Sequence, residues 1–107
     1  MKRIYIAGPM TGKEDMNRAE FEKAHKHLEN LYRYVGCRIV NPIEKAKLWG
    51  WTEETLLPSI ADILLGYLVD CDAIYMLRGW QDSKGATAEH AVAKWIGLEI
   101  IYQGESE

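Results

Sequence analysis

The sequence predicts an α/β fold of the flavodoxin- or Rossmann-like three-layer type, with a parallel sheet of about four strands in the order 2-1-3-4. Three observations predict it. Strand-length and helix-period segments alternate as β-α-β-α-β-α-β. The strands are short continuous apolar runs, as expected of a parallel sheet covered on both faces. Right-handed crossovers between them then favour the flavodoxin-like order. At 107 residues the chain is one domain with enough core to fold alone.

The elements follow in order. Residues 1–7 form the first strand, ended by Gly8-Pro9. Thr11 and Gly12 continue a loop, and Asn17 is placed to cap a helix. Ala19, Phe21, Ala24, Leu28, Leu31 and Tyr32 recur at helical spacing, predicting a helix over 18–34 that Gly36 ends. Cys37-Arg38-Ile39-Val40 is the second strand, and Asn41-Pro42 reads most simply as a turn. Residues 43–52 are a loop or short helix, with Trp49 and Trp51 flanking Gly50. The run from Thr52 to Thr55 has the composition of a helix start, and Pro58 makes that helix begin near Leu57 or bend there. From Ile60 to Val69 the chain is apolar almost all round, which predicts burial on several sides, including against another subunit. Residues 73–77 are the third strand, 86–96 the last helix with Trp95 in the core and Gly97 as its cap, and 98–102 the fourth strand. Residues 103–107 are a polar tail.

Composition narrows the function. A net charge of −3 and a pI near 5.6, with scattered basic residues, exclude a nucleic-acid polymer as partner. No apolar run approaches the ~20 residues of a membrane span. Gly8 and Pro9 interrupt the N-terminal apolar stretch, so no signal peptide is expected and a cytoplasmic location is. Cys37 and Cys71 have no metal-site spacing and read as reduced, packed thiols. His25 and His27 fall on the first helix, facing solvent, and His90 points about 100° away from Glu89. Neither a metal nor a cofactor is expected.

Two loops converge above the carboxyl ends of strands one and three, where α/β proteins bind ligands. The first supplies Tyr5, Gly8, Met10, Thr11 and Gly12; the second supplies Gly79, Trp80, Ser83, Gly85 and Glu89. Glycines there permit close backbone approach, and a helix N-terminus attracts an anion. Tyr5 points to the cleft or to the core, and Trp80 is placed to stack on a nucleobase. Trp49 and Trp51 form a lid or an interface. Glu89 has two readings: a solvated glutamate in a first helical turn, or a nucleophile or general base attacking an anomeric carbon. Asp62, Asp70, Asp72 and Asp82 are candidates for a second group, although Asp70 and Asp72 lie nearer the opposite end of the sheet and read as turn or cap residues.

The blocks Tyr5-Ile6-Ala7-Gly8-Pro9-Met10-Thr11-Gly12, Asn17 with Phe21, Val40-Asn41-Pro42, Cys71-Asp72-Ala73-Ile74 and Gly79-Trp80 through Ser83-Lys84-Gly85-Ala86 to Glu89 resemble the small phage and bacterial DUF4406 family. That family lies in the nucleoside 2-deoxyribosyltransferase-like superfamily. The resemblance implies that Glu89 is the nucleophile that takes a 2-deoxyribosyl group, with Tyr5 beside it and Gly8 after it. It implies that Ser83 and the Gly85 backbone bind a 5′-phosphate, since the transferases usually carry Asp where Ser83 stands. It also implies a homo-oligomer whose sites are completed across an interface. One position departs: where relatives carry an acid on the second helix this chain has Leu64, and the nearest acid is Asp62, about 200° around a helix. The expected function is therefore a nucleoside 2-deoxyribosyltransferase or deoxynucleoside 5′-monophosphate N-glycosidase. The alternative is a noncatalytic nucleotide-binding or sensing module.

Overall fold

The computed structural model describes residues 1–10, 12–52 and 61–105. Four strands, β1 (Lys2–Ala7), β2 (Cys37–Val40), β3 (Ala73–Met76) and β4 (Glu99–Tyr102), form one parallel sheet in the order β2-β1-β3-β4. The architecture and strand order are those the sequence predicts. Tyr5 pairs with Val40 on one side and Ile74 on the other, which makes β1 a central strand.

Four helices, α1 (Arg18–Leu31), α2 (Pro42–Trp49), α3 (Ala61–Val69) and α4 (Lys84–Ile96), cover the sheet. Alternation along the strands sorts their side chains onto two faces. On one face Ile4, Ile6, Ala73, Tyr75 and Leu77 pack with Phe21, Ala24 and Leu28 of α1 and Ile43 of α2. On the other, Tyr5, Ala7, Ile74 and Met76 pack with Leu68 of α3 and Ala86 and Ala93 of α4. All are at most 2% exposed. Burial of each large side chain stabilises the fold by about 1.5–3 kcal/mol.

Several boundaries differ from expectation, each for a local reason. Helix α1 stops at Leu31 and a turn runs to Gly36, because Tyr34 and Val35 are exposed and have no core to bury against. Asn17 occupies the cap position of α1 but makes no side-chain cap bond; its φ is 66°, and Asp15 and Met16 before it are also left-handed. Asn41-Pro42 starts a helix instead of making a turn. The Asn41 Oδ1 accepts the Ile43 N–H at 3.0 Å, and Pro42 fits the first helical position. His25 is only partly exposed, its Nδ1 lying 3.2 Å from the buried Asn41 Nδ2. Trp95 is not core: it is 84% exposed, because two steps along α4 from the buried Ala93 turn it about 200° away from the sheet.

Cys37 and Cys71 are free thiols, and burial pushes the Cys71 thiol up to about 11. Among the described residues no helix is long and apolar enough to cross a membrane. Thr52, the first residue of the expected helix start, is exposed and in no helix; the rest of that start and the Pro58 bend fall on residues 53–60, outside the described residues. Thr11 also lies outside them, as does the side chain of Asp62, whose backbone belongs to α3.

Candidate active site

Strands β1 and β3 lie side by side, and their carboxyl ends open into a cleft of about 480 Å³, within the usual range for small-molecule sites. Tyr5, Gly8, Met10, Ser83, Gly85 and Glu89 line it together. Phe21, Pro42, Leu64 and Leu65 provide an apolar wall, and Lys13, Asp82 and Lys84 add charge.

Tyr5 settles both of its possible placements at once. Its ring is fully buried on the α3/α4 face, yet its hydroxyl reaches the cleft and donates to Glu89 Oε2. Glu89 stands in the second turn of α4, since Ser83 starts the helix at Lys84 and not near Ala86. It is therefore not a solvated first-turn carboxylate. Burial pushes its carboxyl up to about 7, against the smaller downward pull of the Tyr5 hydrogen bond. Burial, and next the Glu89 charge, hold the Tyr5 phenol well above its ordinary range. Tyr5 thus remains a donor, and Glu89 passes between acid and carboxylate near neutrality.

The start of α4 faces the same space. Ser83 Oγ accepts the Ala86 N–H at 3.1 Å, which leaves its own O–H free to donate. The Lys84 and Gly85 amides, at the first turn, have no intrahelical carbonyl to serve. The site can therefore hold an anion at the helix start and present a carboxylate one turn further on.

Gly8 is needed for the close packing of the loop. A Cβ there would lie 2.6 Å from Leu77 Cδ1 and 2.8 Å from Leu77 Cβ. Because Leu77 is itself buried and its Cβ cannot swing aside, Gly8→Ala is expected to destabilise the chain by about 1–3 kcal/mol. A lowered urea midpoint with an unchanged m-value is the readout.

Not every predicted site residue converges. Gly79, at φ 85°, opens the 3₁₀ turn Trp80–Asp82, and Gly12 at φ 80° shapes the first loop, but neither lines the cleft. Trp80 turns away from it: its ring stacks on His90 at 4.2 Å, and His90 Nε2 lies 2.8 Å from the Tyr102 hydroxyl. Asp72 accepts the Arg3 N–H at 2.9 Å at the other end of the sheet, as a cap residue does. Lys13, Lys84 and Leu65 were not singled out from sequence. Both lysines adjoin loop glycines, Gly12 and Gly85, and that adjacency was the available signal. A second groove of about 570 Å³ between α1 and α2 is walled by side chains of both charges, and neither converging loop reaches it.

A family model described as a domain of unknown function, DUF4406, matches residues 2–102. No curated protein and no solved structure matches the chain.

Proposed function

The chain belongs to the DUF4406 family, and we propose that it cleaves the N-glycosidic bond of a 2-deoxynucleoside or of its 5′-monophosphate, as a member of the nucleoside 2-deoxyribosyltransferase-like superfamily. The observation that carries this reading is the Tyr5–Glu89 pair in the wall of a cleft that also holds the start of α4.

In this mechanism the Glu89 carboxylate attacks C1′ on the face opposite the base. The C1′–N bond breaks through an oxocarbenium-like transition state, and its electron pair passes to the base nitrogen. We assign the proton that this nitrogen takes up to Asp62, the acid within α3. Water, or an N–H nitrogen of a second base, then attacks C1′; the bond from C1′ to the Glu89 carboxylate breaks, and the proton of the attacking group passes to the carboxylate that protonated the first base. Ser83 and the Gly85 amide hold the phosphate or the sugar, and Tyr5 orients Glu89. Gly8 and Met10 border the ligand, with Thr11 next in the chain. No cofactor is required. The ligand is a small molecule, and the location is cytoplasmic.

Incubation with deoxynucleosides and their 5′-monophosphates, with chromatography of the products, tests this directly: free base should appear. A second reading, a noncatalytic nucleotide-binding module, is favoured by Leu64 lining the cleft where an acid would be expected. Nucleotide bound without base released would select it.

We also propose that the chain is a homo-oligomer. In the single chain α3 buries Leu68, while Ile63 and Val69 remain 38% and 49% exposed. Light scattering at micromolar concentration is expected to give a dimer or larger, and a monomer mass would contradict it.

A further inference from the structure

The Val40-Asn41-Pro42 block takes no part in the proposed chemistry, yet it ties together two walls of the cleft. Phe21 of α1 and Pro42 of α2 both line that cleft. Asn41, immediately before Pro42, is 1% exposed, and the two ends of its carboxamide are committed in opposite senses. Its Oδ1 accepts the Ile43 N–H at 3.0 Å and so caps α2. Its Nδ2, a donor, lies 3.2 Å from Nδ1 of His25, which stands one turn beyond Phe21 on α1. A carboxamide fixed in this orientation needs an acceptor there. The Nδ1 lone pair must therefore face it, and the proton of the neutral ring sits on Nε2. Nε2 lies 3.5 Å from Glu29 Oε2, which suits that tautomer.

Nδ1 has a second neighbour of the opposite kind. Glu44 Oε1 of α2 lies 3.9 Å from it. With a proton on both nitrogens the ring is a donor at each. Nδ1 then opposes the Asn41 amide and suits the Glu44 carboxylate. Asn41 cannot turn over to follow, because its NH₂ would then face the Ile43 N–H. Protonation of His25 thus strips a buried amide of its partner, and the cost falls on the start of α2. The charged groups that line the groove with His25 are Arg18, Glu22, Lys26 and Glu29 of α1 and Glu44 and Lys47 of α2. The two that pair with the ring, Glu29 and Glu44, each offer an acceptor to a ring N–H.

We propose that His25 is a positioning residue under proton control: neutral, it holds Asn41 and with it the Pro42 wall of the cleft, and protonated, it exchanges Asn41 for Glu44 and releases that wall. This goes beyond the glycosidase reading and is the same whatever ligand the cleft takes.

NMR of the ligand-free chain at pH 7.5 and 5.5 tests it, with His25→Asn, Glu44→Ala and Glu89→Gln beside the wild type. Asparagine at position 25 sets an acceptor oxygen where Nδ1 stands and takes up no proton in this range. In the wild type at pH 7.5 the ring nitrogens of His25 should show the proton on Nε2. At pH 5.5 the Ile43 N–H should lose about tenfold of its protection against exchange, after correction for the intrinsic rate, as expected for the loss of one hydrogen bond to a buried group. The Pro42 carbon signals should move in step with those of the His25 ring. In His25→Asn the Ile43 protection should stay within about twofold between the two pH values, which loss of packing alone would not produce. Glu44→Ala should match the wild type at pH 7.5 and lose less protection at pH 5.5. Glu89 lines the cleft and titrates over the same range, so Glu89→Gln should leave the loss in place. Ile43 protection that does not change with pH in the wild type, an equal change in His25→Asn, an undiminished change in Glu44→Ala, a change abolished in Glu89→Gln, or a neutral ring with its proton on Nδ1 would overturn the proposal. The first and last of these are read on the wild type alone, so they decide it even if a variant does not fold.

Discussion

Glu89→Ala is expected to lower base release from a 2-deoxynucleoside 5′-monophosphate by at least about a thousandfold, the scale on which removal of a covalent nucleophile acts. Affinity for the nucleotide should change only a fewfold, because Ser83 and Gly85, the residues proposed to hold the phosphate, line the cleft apart from Glu89. Glu89→Gln should be equally inactive while keeping the shape of the side chain and an acceptor for Tyr5. Together the two variants separate loss of chemistry from loss of fit. Base release unchanged in Glu89→Ala would remove this residue from the mechanism.

The second large effect is on pH dependence. Attack needs the carboxylate, and burial holds the Glu89 carboxyl at about 7, so the rate should fall as pH drops below that value. Stability runs the other way. With its proton held more tightly in the folded chain than in the unfolded one, Glu89 contributes stability that is fully present below its ordinary value of 4.5 and is lost as pH rises through about 7. The Glu89→Gln variant carries no such charge. Its stability relative to wild type should therefore increase between pH 4.5 and 7 and level off above, by about 3 kcal/mol in all. Urea unfolding at a series of pH values measures this, and a flat difference would contradict a part-buried Glu89 that titrates near neutrality. Tyr5→Phe sharpens the test. It removes the hydrogen bond that draws the Glu89 carboxyl down, so the acidic limb of the rate profile should move to higher pH while the buried ring remains packed. An acidic limb that stays in place would mean that Tyr5 does not act on Glu89.

The sheet was legible because its strands are continuous apolar runs bounded by Gly8-Pro9, Asn41-Pro42 and Gly97, and because one handedness rule then orders them. The two loops of the cleft were legible from their position after β1 and β3. What sequence pattern could not supply was side-chain direction. Alternation alone left Tyr5 between core and cleft; in the fold its ring is core and its hydroxyl is site, which no period-two argument separates. Trp80 looked like a stacking platform because it lies in the loop, and it stacks on His90 instead, since α4 and β4 offer an aromatic surface that is distant in sequence. Trp95 was misplaced by two residues of helical phase. Lys13 and Lys84 resembled any surface lysine, because their common feature, facing one cleft, exists only after the first loop and the start of α4 have been brought together.

The central claim is covalent attack by Glu89, and trapping the glycosyl–enzyme tests it most directly. A 2-deoxy-2-fluoro nucleotide carrying a good leaving base slows return of the sugar to water, since fluorine withdraws electrons from the oxocarbenium-like transition state. Mass spectrometry of the digested chain should then show one fluorosugar phosphate attached to the peptide that contains Glu89, with one equivalent of base released. Base released without any adduct, an adduct on another residue, or an analogue bound intact would contradict it.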